Sequence, residues 1–217
     1  MSKSLSIEVV SDPVCPFCYI GKRRLQAAIE QCPHIEIKVT WRPFQLNPDM
    51  PREGMDRDAY YRQKFGDMGV DELFSSVRGS SQELGIVFEH KPGSKSPNTL
   101  RAHVLLDLAG QISPETQDEI AEALFHAHHV ACDDIGDIDV LVRLAGQAGM
   151  DESTVREALS SESFEPAVKE AIQMSVARGV TGVPFFVIND SYGVSGAQPP
   201  ESLLAVFEQV ANAAPLD

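Results

Sequence analysis

Two cysteines separated by two residues, Cys15 and Cys18, are the side chains of this sequence best suited to chemistry. They follow a short apolar run, residues 5–10, that is typical of a buried strand, and they precede a long amphipathic run that is typical of a helix. A Ser-Asp-Pro sequence separates the two runs and predicts a turn. Two thiols at the start of a helix can close a disulfide and open it again, so this spacing predicts redox chemistry.

The predicted helix start explains how the two thiols would differ. A helix N-terminus carries unpaired backbone N–H groups and partial positive charge. If Cys15 is the N-cap, its sulfur accepts from the N–H of Cys18, and this stabilises the thiolate, which is the attacking species. Pro16 then occupies the first helical position, where its missing N–H costs nothing. We therefore expect Cys15 to be the nucleophile and Cys18, one turn further in, to be the resolving thiol.

Length, charge and cysteine content limit the class of protein. The chain has 217 residues, with 18 Lys and Arg against 32 Asp and Glu, and its net charge of −14 argues against nucleic acid or an anionic membrane as partner. The first residues show no apolar signal core and no run is long enough to span a bilayer, so the sequence predicts a cytoplasmic protein. Four cysteines are too few for a disulfide scaffold, which makes the CxxC pair catalytic or metal-binding.

The elements around the pair predict an α/β fold. Residues 35–42 alternate apolar and polar, so the first part of the chain is predicted to form a parallel strand-helix-strand unit whose helix ends at Pro33. Residues 185–188 and 192–195 predict a hairpin, and a final helix opens at residues 199–200. We expect residues 1–50 and 180–217 to form one α/β unit that contains a large inserted α-helical domain, residues 51–179.

Helical patterns fill the predicted insertion. Asp56 is a candidate cap for a helix with Tyr60, Tyr61 and Phe65, and Gly110 is expected to stop a later helix. The remaining patterns are a helix through Leu73, Phe74, Val77 and Leu84, a loop over 90–95, and helices that begin at residues 97 and 114 or cover 138–148, 152–159 and 164–178.

Five segments together resemble the DsbA-like proteins of the thioredoxin fold, and most closely their FrnE-like branch. They lie in the expected order along nearly the whole chain: residues 12–21 (DPVCPFCYIG), 42–48 (RPFQLNP), 98–103 (NTLRAH), 179–186 (GVTGVPFF) and 195–199 (SGAQP). A bare CxxC is a weak signal, whereas the five segments together are specific. Some FrnE-like proteins carry a second cysteine pair near the C-terminus, and this sequence has none there.

The resemblance implies roles for residues around the thiols. It implies that Pro184 is cis and faces the CxxC, that Val183 offers backbone groups to an extended substrate, and that the proline keeps a metal from bridging the cysteines. Pro16 and Phe17 are expected to contact substrate. Asn98 and His103 are expected near the cleft, either supporting the site or simply packing the insertion. Tyr19 is expected to shape the surface around the sulfurs.

For several other cysteine, histidine, acidic and basic residues, a structural role is the alternative to a functional one. Cys15 and Cys18 could be half of a zinc site, but no second pair is present. A helical face that combines Glu122, His126, His129 and Asp133 could hold a metal or could simply be solvated. Cys32 is expected to be a small buried residue and Cys132 has no assigned role. The basic residues Lys22, Arg23 and Arg24 are expected on the outer face of the first helix.

Three hypotheses of function follow. The first is a thiol–disulfide oxidoreductase that acts on protein or small-molecule disulfides without a bound cofactor and is reset by a cellular thiol or oxidant, including glutathione. The second, from the same resemblance, is a glutathione-dependent 2-hydroxychromene-2-carboxylate isomerase or kappa-like transferase, in which serine typically replaces the first thiol. The third is a chaperone-like or metal-binding module.

Overall fold

A computed structural model describes residues 3–66 and 70–212 of the chain. The predicted ends of the α/β unit, residues 1–2 and 213–217, lie outside this description, as do the side chains of Leu73 and Phe74. The fold is the predicted α/β fold with helices inserted between two parts of one sheet. None of the described helices combines the length and apolar character needed to cross a bilayer.

The central sheet has four strands in the order β2-β1-β5-β6. The first two, β1 (Lys3–Ser11) and β2 (Ile35–Pro43), are parallel and are joined by helix α1 (Pro16–Glu30), as predicted. A hairpin of β5 (Phe185–Ile188) and β6 (Tyr192–Ser195) continues the sheet, with β5 antiparallel to β1. The last helix, α9 (Pro200–Asn212), packs against α1 and β1.

The register between β1 and β5 decides where the site forms. Val10, near the end of β1, pairs with Phe185 at the start of β5. Because the strands are antiparallel, the segment that follows β1 and the residue that precedes β5 lie at the same edge of the sheet. Cys15 thus meets the Val183–Pro184 peptide, although Cys15 and Val183 are 168 positions apart in the sequence.

Short antiparallel strands and helices form the insertion. The strands β3 (Met55–Asp56) and β4 (Lys95–Ser96) pair with each other, so Lys95 is in a strand and only residues 90–94 of the predicted loop remain. The helices and one π-helical turn are α2 (Arg57–Phe65), α3 (Val70–Glu83), α4 (Leu100–Ile112), α5 (Pro114–His126), the π-helix Ala127–Ala131, α6 (Ile138–Gln147), α7 (Glu152–Ser160) and α8 (Glu165–Ala177).

Side-chain caps fix two helix starts, those of α2 and α5, at the predicted residues, whereas the helix expected from residue 97 begins at Leu100. Asp56 accepts a hydrogen bond from the N–H of Ala59 and begins α2, and Ser113 accepts from Thr116 and begins α5. Each cap satisfies a backbone donor that the first helical turn leaves without a partner. The helix through Val77 is present as α3, although Leu84 lies one residue beyond its end.

Two predicted helix ends are wrong. The first helix ends at Glu30, with Gln31 as its C-cap, before Pro33 is reached. Helix α4 continues through Gly110 to Ile112. Gly110 allows close packing instead, since a Cβ there would lie 2.7 Å from Nε2 of Gln117, the side chain that ties α5 to the backbone of Trp41.

The expected outer face of α1 is also wrong. Lys22 is only 5% exposed and binds Asp118 of α5, Arg23 binds Glu122 of the same helix, and Arg24 donates to the carbonyl of Ala197. These cations lie between α1 and its neighbours because their long stems reach partners across the interface.

Candidate functional site

Cys15 is the N-cap of α1, as predicted, but its sulfur does not cap the helix. The N–H of Cys18 donates to the Cys15 carbonyl oxygen at 3.0 Å instead. The Cys15 Sγ lies 3.6 Å from the carbonyl oxygen of Val183. The expected sulfur-to-backbone cap is therefore wrong, because the carbonyl of the N-cap already serves the first helical turn and the side chain turns towards the loop before β5.

The two thiols differ in their surroundings. Cys15 is 4% exposed and Cys18 is 1% exposed, and both are free thiols. The pKa of the Cys18 thiol is raised well above its ordinary value, first because burial disfavours the thiolate and then because Cys18 hydrogen-bonds to Cys15. Cys18 therefore keeps its proton in the reduced protein.

The peptide bond between Val183 and Pro184 is cis, as the resemblance implies. Pro184 packs on α1 at Gly21, where an added Cβ would be 2.9 Å from Pro184 Cγ. This contact sets the distance between the start of α1 and the loop that carries Val183. The missing side chain of Gly21 is what allows the approach.

A cavity of about 520 Å³ opens beside Cys15. Three of the residues expected to contact substrate, Pro16, Phe17 and Val183, line it, while Pro184 is not among the lining residues. Phe17 is 44% exposed. The described lining is Val14, Cys15, Pro16, Phe17, Leu46, Asn47, Tyr60, Tyr61, Lys64, Phe65, Val77, Ser96, Pro97, His128, Gly182 and Val183.

Helix α2 supplies the wall of this cavity that sequence reasoning missed. Its aromatic residues Tyr60, Tyr61 and Phe65 lie at 5.8 to 6.0 Å from ring to ring and are only partly buried. Lys64, on the same helix, donates to Asn47 Oδ1 at 2.8 Å and to the Tyr60 hydroxyl at 2.7 Å. The sequence signal for this wall was the cluster of aromatic residues in a short, charged helix. The same spacing is also typical of a helix face that packs against the core.

A buried group of basic residues lies behind the cavity. The guanidinium of Arg57, in a residue 2% exposed, donates to His128 Nδ1 at 3.2 Å and to the Lys95 carbonyl at 3.2 Å. Burial and then its charged neighbours lower the pKa of His128 well below its ordinary value. The pKa of His129 is lowered to about 3, by burial and then by the charge of Arg57. Both imidazoles are therefore neutral near pH 7.

Asn98 and His103 hold the segment that follows β2. Asn98 donates to the carbonyl of Met50 at 2.7 Å and accepts from Gln45, and His103 Nε2 donates to the carbonyl of Phe44 at 2.8 Å. This segment carries Leu46 and Asn47 into the cavity wall. Neither Asn98 nor His103 lines the cavity itself.

The buried carboxylate of Asp12 holds the same segment from the other side. Its Oδ2 accepts from the N–H of Leu46 at 2.8 Å, and its Oδ1 lies 3.7 Å from His103 Nε2. The turn between β1 and α1 and the segment after β2 are thereby joined beneath Cys18.

The residues of the hypothetical metal face do not converge. Glu122 binds Tyr19 and Arg23, His126 is exposed and His129 is buried, because the π-helix Ala127–Ala131 breaks the one-turn spacing. Within residues 3–66 and 70–212, no three His, Cys, Asp or Glu side chains are grouped to hold a metal ion. Hence the zinc half-site at Cys15 and Cys18 has no further ligands in the described part of the chain.

Three other residues have structural positions. Tyr19 does not shape the surface near the sulfurs, since it is 2% exposed and stacks on Phe125 at 5.3 Å. Cys32 is buried as expected, with its thiol 3.3 Å from the Ala28 carbonyl. Cys132 has a positive φ of 62° at the end of the π-helix and donates to the carbonyl of Glu89.

A dithiol at the start of the first helix, opposite a cis-proline at the same sheet edge, defines a thioredoxin-fold protein with inserted helices. The family model of the DSBA-like thioredoxin domain matches residues 6–208. The chain belongs to this family.

Individual proteins agree with this assignment. A probable DsbA oxidoreductase from Streptomyces coelicolor has a TM-score of 0.84 and 28% identity, and the match covers 98% of this chain and 93% of that one. The uncharacterized protein YwbO of Bacillus subtilis (strain 168) is 27% identical over 190 residues, 87% of this chain and 88% of YwbO. A 2-hydroxychromene-2-carboxylate isomerase has a TM-score of 0.72 at 16% identity, covering 94% of this chain and 95% of that one, and shares the fold.

Proposed function

We propose that this protein is a thiol–disulfide oxidoreductase in which Cys15 is the nucleophile and Cys18 the resolving thiol. The observation that carries the proposal is the position of the Cys15 sulfur at the cavity, beside the Val183 carbonyl, with Cys18 buried behind it and its N–H bonded to the Cys15 carbonyl. Substrates are disulfides of small molecules or proteins, and membership of the DSBA-like family supports this class of reaction.

The reaction proceeds through two exchanges that balance in sulfur and electrons. The Cys15 thiolate attacks one sulfur of the substrate disulfide, the substrate S–S bond breaks, and the released thiolate takes up a proton. Cys18 then loses its proton and attacks the Cys15 sulfur of the mixed disulfide. A Cys15–Cys18 disulfide forms and the second substrate thiol leaves, so the substrate gains the two electrons that the pair loses.

The buried Cys18 suits the second exchange. While Cys15 is free, burial and the hydrogen bond to Cys15 keep Cys18 protonated. Once Cys15 is in a mixed disulfide it no longer accepts that hydrogen bond, and one cause of the raised Cys18 pKa is removed. Cys18 is thus activated at the stage where it is needed.

A cellular thiol, including glutathione, completes the cycle by reducing the Cys15–Cys18 disulfide through the same two exchanges. In the opposite direction, an oxidant restores the disulfide and the protein oxidises substrate thiols. We place the reaction in the cytoplasm, where a thiol pool serves as the reductant. The measured redox potential of the pair determines which direction operates.

Single-cysteine variants test the proposal. We expect Cys15→Ser to abolish reduction of insulin and of small disulfides, and Cys18→Ser to accumulate a mixed disulfide with substrate at Cys15, detected by mass spectrometry. Cys132→Ser is the matched control, because this half-buried cysteine does not line the cavity, and its turnover is expected to equal that of the wild type. Undiminished turnover in Cys15→Ser would refute the mechanism.

The mostly apolar cavity also favours a second candidate, a glutathione-dependent isomerase or transferase acting on a small apolar compound. In such an enzyme the thiol of glutathione does the chemistry. Isomerisation of 2-hydroxychromene-2-carboxylate that survives in the Cys15→Ser, Cys18→Ser double variant would support this candidate. Suppression of protein aggregation that survives in the same variant would indicate a binding module instead.

A further inference from the structure

The described lining of the cavity beside Cys15 carries a positive charge although the chain as a whole is strongly acidic. Among the described residues that line it, Lys64 is the only one with a formal charge. An ammonium has three N–H donors, and two of those of Lys64 are held by Asn47 and by the Tyr60 hydroxyl. These contacts fix the cation at the cavity wall and leave one donor for a ligand.

A second cation lies behind the wall. The partners of the buried Arg57 guanidinium are the carbonyls of Lys95 and His128 and the Nδ1 of His128. No carboxylate forms an ion pair with Arg57 in the described part of the chain. A guanidinium keeps its charge at every relevant pH, so Arg57 adds a second positive charge on this side of the cavity.

Arg57 also fixes the tautomer of His128. A guanidinium can only donate, so the Nδ1 that faces it must be the unprotonated nitrogen. The neutral imidazole then has its proton on Nε2, on the far side of the ring from Arg57. Since His128 lines the cavity, this N–H is a preset donor for a ligand. The π-helical turn that carries His128 is a distortion often found at functional sites.

Most of the remaining lining is apolar or aromatic, with Asn47 and Ser96 as its other polar side chains. Phe17, Tyr61, Phe65 and Val77 form its walls, and the volume of about 520 Å³ suits a small molecule. Resting on the disulfide chemistry proposed for Cys15, we propose that the cavity selects a small aromatic or apolar disulfide, or thiol, that carries a negative charge. Lys64 and the Nε2–H of His128 bind the anion, and the aromatic wall binds the carbon skeleton.

Single-turnover reduction by the pre-reduced protein tests the charge preference. The probes are 5,5′-dithiobis(2-nitrobenzoate), which is aromatic and anionic, 4,4′-dithiodipyridine, which is aromatic and neutral, and glutathione disulfide, which is anionic and polar. Each rate constant is divided by that of free dithiothreitol with the same probe, which removes intrinsic reactivity. We expect the aromatic anion to give the highest normalised rate, and a neutral or polar probe that equals it would overturn the proposal.

Charge-matched variants identify the group responsible. Lys64→Gln is expected to lower the ratio of anionic to neutral aromatic rates about tenfold, the size of one charge-assisted hydrogen bond. Lys38→Gln changes the net charge equally at an exposed position of β2 outside the cavity, and is expected to keep the wild-type ratio. Equal ratios in the two variants would exclude Lys64 as the group that binds the anion.

Two variants of His128 separate ligand binding from packing. His128→Leu removes the N–H donor, whereas His128→Gln places an amide N–H near the former Nε2. We expect the anionic-to-neutral ratio to fall in the Leu variant and to recover at least partly in the Gln variant. The same loss in both would show that His128 only supports the wall.

Binding without redox chemistry distinguishes this proposal from the proposed function. The Cys15→Ser, Cys18→Ser double variant is titrated with 4-nitrobenzoate and with the uncharged 4-nitrobenzamide, followed by NMR. We expect tighter binding of the benzoate, and loss of that preference when Lys64→Gln is added. Preference for the benzoate in the double variant, together with a wild-type protein that reduces no disulfide, would refute only the proposed function. Equal affinities, or no binding of either probe, would refute the anion site.

Discussion

The ammonium of Lys22 lies 2.8 Å from Oδ2 of Asp118 and joins the helix that begins at Cys15 to helix α5 of the insertion. The same ammonium is 5.8 Å from the ring centre of Trp41, whose Nε1 donates to Asp118 Oδ1 at 3.1 Å. A buried cation, a carboxylate and an indole thus connect α1, α5 and β2. The orientation of the nucleophile's helix depends on this connection as well as on the sheet.

We predict that Lys22→Met lowers the free energy of unfolding by about 1–2 kcal/mol. Methionine keeps most of the buried stem, so the lost free energy of unfolding reports the removal of the charge. Asp118 is 47% exposed, so water can hydrate its carboxylate once the ammonium is gone. Urea unfolding measures the effect. Lys38→Met removes an exposed charge as the control, and equal stabilities of the two variants would contradict the prediction.

Gly21→Ala is predicted to destabilise the protein and to slow disulfide reduction. The new Cβ would lie 2.9 Å from Pro184 Cγ and 3.4 Å from Phe186 Cζ, so α1 and the cis-proline loop must separate. Such overpacking costs about 1–3 kcal/mol. Unfolding in urea and single-turnover reduction are the measurements.

The control for Gly21 is Gly79, which lies in α3 with nothing within 4 Å of an added Cβ. Gly79→Ala is expected to stabilise the protein by about 0.5–1 kcal/mol, since alanine loses less freedom in a helix. A Gly21→Ala protein as stable and as fast as the wild type would show that the contact has no role in placing Cys15.

Lowering the pH is predicted to lower the free energy of unfolding because His129 resists protonation in the folded protein. The pKa of His129 is about 3 in the folded protein, against an ordinary value of 6.5, first because of burial and then because of Arg57. Between these values the unfolded chain binds the proton and the folded protein does not. The free energy of unfolding therefore falls as the pH falls from 6.5 towards 3, by up to about 1.4 kcal/mol per pH unit for this group.

Urea unfolding at pH 4 to 7 measures that slope. His129→Phe keeps an aromatic ring beside Tyr19 and Phe125 and loses no hydrogen bond from Nε2, which has no partner in the described structure. The variant is expected to show a shallower slope, with His128 still contributing in the same direction. His126→Phe, at an exposed position, is expected to keep the wild-type slope, and equal slopes in both variants would refute the assignment.

Local sequence signals were sufficient for most of the fold. Alternation in residues 35–42, the cap Asp56 and the paired runs 185–188 and 192–195 each act over a few residues, and the structure confirms them. Gly110 could not be interpreted in the same way. Glycine fits inside the helix there because the Gln117 side chain of the next helix occupies the space where a Cβ would be, and this is a tertiary contact.

The candidate site likewise contains a part that local sequence signals predict and a part that depends on tertiary contacts. The CxxC, its helix start and the cis-proline were available from spacing and resemblance. The wall formed by Tyr61, Lys64 and His128 was not, since its members come from two elements, α2 and the π-helix, that are brought together by packing. The positions of Lys22 and Arg23 were likewise hidden, because a basic residue on a helix has the same local pattern whether it meets water or a partner helix.

The antiparallel register of β1 and β5 has a consequence for how such proteins diversify. Val10 and Phe185 hold the thiols and the cis-proline together from within the sheet, while contacts such as Lys22–Asp118 join α1 to the helices between β2 and β5. Those helices can therefore be lengthened, remodelled or exchanged, by evolution or in the laboratory, where the contacts to α1 are kept. A chimaera that keeps residues 3–43 and 183–212 and receives a relative's helices would acquire a different substrate preference with the same reactive cysteine.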